Sequence, residues 1–220
     1  MARTRVLEAV QTLEQGSITF LYRPRVEEQN PDELDDVQRL LILLAPDGSA
    51  FERLIAVGRK LLPRSARHDR FWGFVDLVLT PDDMQSALGA QVYGLRHLLA
   101  ARPFAEGTYE VETHGPHSHL RWSIERFEEE IPIEHDADYI LTIANPDPAQ
   151  WGLVESPDLQ SELFDDLEMH VPVPTPFPLA LQQRFRNRKF TQLDTIEWLD
   201  HPGAELVFIG AGQPTRLYPR

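Results

Sequence analysis

The chain of 220 residues contains no cysteine. This absence excludes disulfide bonds, thiolate metal ligands and a cysteine nucleophile, and it is typical of proteins from a reducing compartment. No apolar run approaches the roughly 18 residues that a membrane-spanning helix needs. Near the start of the chain, Glu8 interrupts the apolar residues too early for the core of a signal peptide. We therefore expect a soluble, cytoplasmic protein with no membrane contact.

Basic residues are also scarce in this chain. There are 21 Lys and Arg against 35 Asp and Glu, which gives a net charge of -14. A charge this negative repels nucleic acid, so we expect no binding to duplex nucleic acid. With 42% hydrophobic residues, the chain is still able to bury a sizeable core. We expect a single domain over residues 1–220, with a division into two lobes near residues 104–106 as the alternative.

The few basic residues gather beside aromatic ones, at residues 22–25, 70–72 and 184–189. An arginine beside a ring can hold a carboxylate or phosphate through its guanidinium fork while it stacks on the ring. The alternative is that these arginines form structural ion pairs with carboxylates such as Asp76 or Asp36. The residues predicted to form an anionic-ligand site are Tyr22, Arg23, Arg25, Arg59, Arg70 and Trp72.

The pattern of apolar residues predicts more strands than helices. Residues 17–25 follow a strand pattern, and residues 40–44 form a continuous apolar run that is typical of a central strand. Further strands are predicted at residues 71–79, 139–143 and 206–209. Thr80 followed by Pro81 predicts the start of a helix. We expect an α+β fold that is β-rich, with a mainly antiparallel sheet, as a sandwich or half-open barrel, and a few short packing helices.

A histidine-rich hairpin is predicted at residues 107–125. The register that places apolar side chains on one face pairs His114 with His119 on the other face. The same register places Glu112 opposite Arg121, which competes for the carboxylate. Three imidazoles, or two with a carboxylate, can hold Zn²⁺ or another divalent ion. The predicted metal ligands are His114, His117, His119 and Glu112, and the alternative is a solvated polar loop.

Asp76 is a carboxylate within an apolar strand. Strand alternation places it on one face with Trp72, Phe74 and Val78. We expect a buried polar position with a raised pKa, which would act as a general acid or base only if a substrate reaches it. The chain has no Walker-type phosphate loop, no nucleophile elbow and no zincin helix. We therefore predict no catalytic residue, and we favour a protein that is not an enzyme.

Several short motifs are shared with a known family. The most specific read GSIxFxYRP, DDVQR, FWGFV and ARPxxEG. They lie at residues 16–24, 35–39, 71–75 and 101–107, and shorter matches lie at residues 58–60, 145–146, 181–182 and 184–185. Through them the chain resembles a family of conserved bacterial proteins of uncharacterised function. The resemblance covers most of the chain and implies one shared fold from end to end, without an activity, cofactor or catalytic residue to carry over.

The leading hypothesis is a non-catalytic binding or accessory module. It would recognise an anionic small molecule, or an acidic segment of a protein partner, through the arginine and aromatic residues and without a cofactor. The first alternative is a metal-dependent enzyme, such as a hydrolase, that uses the histidine hairpin with Zn²⁺. The second alternative is a self-assembling homo-oligomer that pairs through an edge strand or through the proline-rich residues 171–178.

Overall fold

The computed structural model describes residues 10–24, 37–58, 62, 64–93, 96–127, 133–146 and 176–212. The strands are β1 (Gln11–Pro24), β2 (Val37–Pro46), β3 (Glu52–Val57), β4 (Arg70–Leu79), β5 (Gln91–Tyr93), β6 (Arg96–Leu98), β7 (Arg102–His114), β8 (His117–Phe127), β9 (Asp136–Ala144), β10 (Phe190–Gln192) and β11 (Glu205–Gly210). The helices are α1 (Pro81–Leu88) and α2 (Leu179–Gln182), with 3-10 turns at Ser65–Arg67, Gln183–Phe185 and Ile196–Asp200. No helix in these ranges is long and apolar enough to cross a membrane.

Eight strands form a closed barrel. Their order is β9-β11-β4-β3-β2-β1-β7-β8, and β8 pairs again with β9 to close the ring. All strand pairs in the described ranges are antiparallel. The prediction of a β-rich, mainly antiparallel fold is confirmed. The α+β label and the sandwich or half-open barrel are corrected, because the sheet closes completely and the described helices cover only short parts of its surface.

Aromatic side chains fill the inside of the barrel. Trp122 stacks on Tyr139 with ring centroids 4.9 Å apart, and Phe71 stacks on Phe208 at 4.4 Å. The inward rings are Phe20, Tyr22, Phe71, Phe104, Tyr109, Trp122, Tyr139 and Phe208, and all of them are buried. An eight-stranded barrel is just wide enough for side chains to fill it. The rings in the described strands therefore form a packed core inside the barrel.

The hairpin of β7 and β8 forms in a register that differs from the prediction. His114 lies opposite His117, and Glu112 lies opposite His119. The predicted pairs are wrong by two residues along β8, because the turn contains only Gly115 and Pro116 instead of four residues. Gly115 adopts a φ of 58°, a left-handed conformation that glycine reaches without strain. Since side chains alternate with a period of two, the shift keeps every side chain on its predicted face.

A β-bulge shapes the end of β4. Leu77 pairs with Leu54 and Val75 pairs with Ile55, so Asp76 is the extra residue between them. Asp76 shares the outer face with Phe74 as predicted, whereas Val78 packs against the inner core because the bulge changes the alternation.

The helix α1 packs on part of the outer face of the barrel, next to β4. It begins as predicted at Thr80, whose Oγ1 accepts a hydrogen bond from the Asp83 N–H at 3.4 Å, and Pro81 takes the first helical position. The side chain of Met84, a residue of α1, is fully buried. Met84 packs with a second, smaller cluster that consists of Leu21, Leu41, Leu54, Ala56 and Phe74.

Candidate anion-binding site

The structure separates the residues that were predicted to form one arginine and aromatic site. Tyr22 points into the barrel, where its ring centroid lies 6.2 Å from that of Phe104. Arg23 is the next residue of β1, so its side chain leaves the opposite face of the strand. Two further members of the predicted set, Arg25 and Arg59, lie outside the described residues.

The two members on β4 lie far from those on β1. β2 and β3 lie between β1 and β4, and three strand spacings amount to about 14 Å. Arg70 is exposed near the start of β4. Trp72 is half-buried, and its ring centroid lies 5.9 Å from that of Phe190 on β10. Among the described members, the predicted set therefore does not converge.

Arg23 binds the backbone at the end of α1. It donates hydrogen bonds to the carbonyl oxygens of Ala87 and Leu99, both at 2.8 Å, and a long one to Gly89 at 3.5 Å. A guanidinium in this position satisfies carbonyls that the last turn of a helix leaves open and interacts favourably with the helix dipole. Arg23 therefore fixes the C-terminal end of α1 on the barrel.

Arg39 lies directly opposite Arg23 and contacts Asp76. Its Nη1 is 3.5 Å from Asp76 Oδ2, and its Cζ lies 5.7 Å from the centre of the Phe74 ring. Burial raises the pKa of Asp76 even though the charges of Arg39 and Arg23 oppose that rise. The expected direction of the Asp76 pKa is confirmed. An ion pair of Asp76 with arginine is also present, although the partner is Arg39, which was not in the predicted set.

The histidine hairpin carries a charged network. His119 Nδ1 is 2.7 Å from Asp138 Oδ1, and Arg121 Nε donates to the other oxygen of Asp138 at 3.0 Å. Arg121 also donates to Glu112. His114 and His117 lie at the tip of the hairpin, beyond this network. The sequence prediction missed Asp138, because β9 pairs with β8 only in the folded barrel.

The pKa values of the two carboxyls in this network are shifted in opposite directions. Burial would raise the pKa of Asp138, but hydrogen bonds and charges from His119 and Arg121 outweigh it and hold the pKa below its usual value. Burial raises the pKa of Glu112, and Arg121 only partly opposes this. Within the part of the chain that the structure describes, no three side chains of His, Cys, Asp or Glu are placed to share a metal ion. A metal at the hairpin stays a prediction.

Three arginines of the third basic cluster line one cleft. The cleft has a volume of about 580 Å³. Arg184, Arg186 and Arg188 are exposed and come from one short segment, residues 184–188, which we call the arginine segment. The remaining lining residues are Pro116, His117, Thr142, Phe190, Thr191, Gln192 and Asp194. The sequence shows this basic run, but the predicted ligand set did not include it.

The cleft lies where β8 and β10 meet along β9. β8 pairs with β9 up to Leu141, and β10 continues along β9 from Thr142 onward. Side-chain bonds join the two strand ends: Gln192 Nε2 donates to the Gly115 carbonyl at 3.3 Å, and Ser118 Oγ donates to the Leu193 carbonyl at 2.5 Å. The hairpin tip and the end of β10 are therefore held together beside the cleft.

The arginine segment has a strained backbone. Arg186 and Asn187 have φ values of 49° and 59°, in the left-handed region that residues other than glycine rarely occupy. Each such residue costs on the order of 1–3 kcal/mol, and such strain occurs often at functional sites. Phe185 anchors the segment, because its ring is fully buried and its centroid lies 5.3 Å from that of Trp198.

Asn145 holds the arginine segment from the end of β9. Its backbone N–H donates to the Lys189 carbonyl at 2.9 Å, and its Nδ2 donates to the Arg188 carbonyl at 3.1 Å. Its Oδ1 accepts a hydrogen bond from Gln182 Nε2 at 2.8 Å. Asn145 and Gln182 both belong to the short motifs of the family resemblance. The segment is thus fixed from both sides, so the arginines start from a defined backbone position.

Positive charge dominates the cleft. Asp194 is the acidic residue in its lining, and its Oδ1 lies 2.9 Å from Arg184 Nη1. Neither Arg186 nor Arg188 forms an ion pair with any carboxylate in the described ranges. These two exposed guanidiniums can therefore bind an incoming carboxylate or phosphate without first breaking an ion pair there.

Comparisons with models of protein families, with curated protein sequences and with solved structures find no match to this chain. The geometry of the arginine cleft therefore carries the functional interpretation.

Proposed function

We propose that this protein is a non-catalytic module that binds an anionic small molecule in the arginine cleft. One observation carries the proposal: three arginines from one short segment line one cleft in a chain of net charge -14. A guanidinium fork matches the geometry of a carboxylate or a phosphate, and bidentate pairs are the strongest hydrogen bonds available to it. Arg186 and Arg188 supply the two forks that we assign to the anion.

The shape of the cleft favours a small molecule over an extended segment of a protein. Its volume of about 580 Å³ falls within the range of about 300–1,000 Å³ that is usual for small-molecule sites. Phe190 gives the wall an apolar surface, and its ring is held next to Trp72 and under Lys189 Nζ at 5.4 Å. Thr142 and Gln192 add side chains that hydrogen-bond a polar ligand.

The test measures binding of two anions by isothermal titration calorimetry. Pyrophosphate represents a small anionic molecule, and a hexaglutamate peptide represents an acidic protein segment. In the double variant Arg186→Gln/Arg188→Gln we expect pyrophosphate affinity to fall at least about tenfold, because two charge-assisted contacts are lost. The matched control is Arg126→Gln, whose side chain is 68% exposed and pairs with Glu106. That control removes one positive charge that lies on β8 about 30 Å from His117, a residue of the cleft.

The outcomes of this titration separate the two kinds of ligand. Binding of pyrophosphate that the double variant weakens and the control retains supports the proposal. Binding of hexaglutamate alone overturns the small-molecule site in favour of an acidic partner. Equal affinity for pyrophosphate in the wild type and in the double variant, with both folded by circular dichroism, overturns the cleft as the anion site.

The metal-dependent enzyme and the self-assembling oligomer stay predictions of the sequence. The network around Asp138 occupies His119 and Glu112, two of the predicted ligands, with Asp138 and Arg121. Nothing in the described ranges favours either alternative over the arginine cleft.

A further inference from the structure

We propose a second anion site, beneath α1, in which Arg39 and Arg23 bind a compact oxyanion such as inorganic phosphate. The site lies on the outer face of β1 to β4, away from the arginine cleft, and does not depend on it. Its central residue is Arg39, whose side chain is 3% exposed.

The side chain of Arg39 crosses a neighbouring strand. Arg39 belongs to β2 and Asp76 to β4, and β3 lies between them. Even so, the Arg39 guanidinium comes within 3.5 Å of Asp76 and lies over the Phe74 ring. On this face β3 presents the small residue Ala56, which pairs with Phe74. The guanidinium is therefore held over the middle of the sheet, inside the cluster that α1 covers.

Two of the three nitrogen atoms of this guanidinium have no acceptor. Arg39 Nε and Nη2 are buried without a hydrogen-bond partner, and no other buried side-chain nitrogen or oxygen in the described ranges shares this condition. An unsatisfied buried donor is costly to a fold, and most of all when the group is charged. A second oxyanion beside Asp76 would accept from these two atoms through the same fork geometry that a carboxylate uses.

The charges around Arg39 favour an incoming anion. Asp76 is the carboxylate in contact with Arg39, and their closest approach of 3.5 Å is longer than a good charge-assisted hydrogen bond. Arg23 lies directly opposite Arg39 on β1 and influences the charge state of both Arg39 and Asp76. Two neighbouring guanidiniums repel each other when buried, and an oxyanion between them relieves this repulsion.

Access to the site requires a movement of α1. Arg23 donates to Ala87 and Leu99, and the Ala101 N–H donates to the Leu88 carbonyl at 2.8 Å, so these bonds fasten the C-terminal end of the helix. An oxyanion that engages Arg23 competes with the Ala87 carbonyl of the helix and with the Leu99 carbonyl for the same guanidinium. Phosphate binding therefore loosens α1, and the loosened helix exposes Arg39 to the ion.

The experiment uses inorganic phosphate and the full chain, with the arginine cleft silenced by Arg186→Gln/Arg188→Gln. Hydrogen exchange of the α1 amides is compared in sodium phosphate and in sodium chloride at equal ionic strength. We expect phosphate to speed exchange in α1 at least about fivefold, the lower end of usual coupling between two sites. Adding Arg39→Met to this background should abolish the effect. The added control Arg126→Gln should retain it.

A second variant keeps the proposal testable if Arg39→Met does not fold. Asp76→Asn removes a negative charge that would lie beside the bound phosphate and repel it, so phosphate should bind about tenfold more tightly. Unchanged exchange in phosphate, an effect that survives Arg39→Met, or an unchanged dissociation constant in Asp76→Asn overturns the site. All of these measurements leave the cleft silenced, so failure of this site and failure of the cleft are separate results.

Discussion

A single aspartate, Asp138, is at the centre of a network of charged side chains on the outer face of β7, β8 and β9. It is 4% exposed and bonds both His119 and Arg121. Arg121 reaches Glu112 as well, so one guanidinium bridges carboxylates on two strands. This network gives a structural reason for the polar outer face of the histidine hairpin.

The variant Asp138→Asn tests this network at the residue scale. Because the folded pKa of Asp138 lies below its unfolded value, its contribution to stability is present above the unfolded pKa of about 4 and is lost as pH falls through the folded pKa. We expect the variant to lose about 3 kcal/mol of unfolding free energy at pH 7. Its stability should also fall less steeply in acid. Urea unfolding at several pH values measures both effects.

The variant Glu112→Gln should change the pH dependence of stability in the opposite direction to Asp138→Asn. The pKa of Glu112 is raised, so its contribution to stability decreases as pH rises from the unfolded towards the folded pKa. Removing this carboxyl should make the loss of stability in acid steeper than in the wild type.

The role assigned to Asp138 has its own contradicting outcome. If the unfolding free energy of Asp138→Asn falls with pH as steeply as that of the wild type, Asp138 does not have this role.

At the scale of elements, the arginine segment is positioned by β9 through Asn145. The variant Asn145→Ala removes the bonds from its side chain to the Arg188 carbonyl and to Gln182. We expect a loss of about 2 kcal/mol of unfolding free energy. We also expect weaker binding of pyrophosphate, since the strained segment can relax and move Arg186 and Arg188. Urea unfolding and titration calorimetry measure the two effects.

The control for Asn145→Ala is Gln182→Ala, which removes the hydrogen bond that Asn145 Oδ1 accepts and keeps the one that Asn145 Nδ2 donates to the Arg188 carbonyl. It should leave most of the pyrophosphate affinity, because the Arg188 carbonyl keeps its donor. Unchanged affinity in Asn145→Ala, with a measurable loss of stability, would show that the segment does not need this support to bind the anion.

Local sequence patterns predict the individual elements well. The apolar residues 40–44, 139–143 and 206–209 fall within β2, β9 and β11, and Thr80 with Pro81 starts α1. The hairpin register was missed because an even shift preserves the inner and outer faces, so only the length of the turn distinguishes the alternatives. The bulge at Asp76 was missed for a related reason, since an extra residue leaves no mark in an alternating pattern.

The candidate site depends on contacts that the sequence does not place. The run of arginines at 184–188 is visible in the sequence, whereas Thr142 and Pro116 join the cleft only through pairing along β9. The predicted arginine and aromatic set combined β1 with β4, but β2 and β3 lie between these strands. Strand order in a barrel is a long-range property, and clusters of residue types along the chain do not determine it.

At the scale of the whole molecule, the barrel closes through pairings between distant parts of the chain. β1 pairs with β7, β4 pairs with β11, and β8 pairs with β9. Residues 104–106, where the sequence offered a division into two lobes, lie within β7. β1 to β4 form one half of the ring and β7, β8, β9 and β11 form the other half, so neither side closes a barrel without the other.

The closed barrel predicts that both halves of the chain unfold together. Scanning calorimetry should give one transition, with a ratio of calorimetric to van't Hoff enthalpy of about one. Native-state hydrogen exchange should report one common opening free energy for the central amides of β1 to β4 and of β7, β9 and β11. Two transitions, or a distinctly lower opening free energy for β1 to β4, would instead indicate two lobes. The pairs β1–β7 and β4–β11 join these two groups on both sides of the ring, so opening either group exposes the aromatic core of the other.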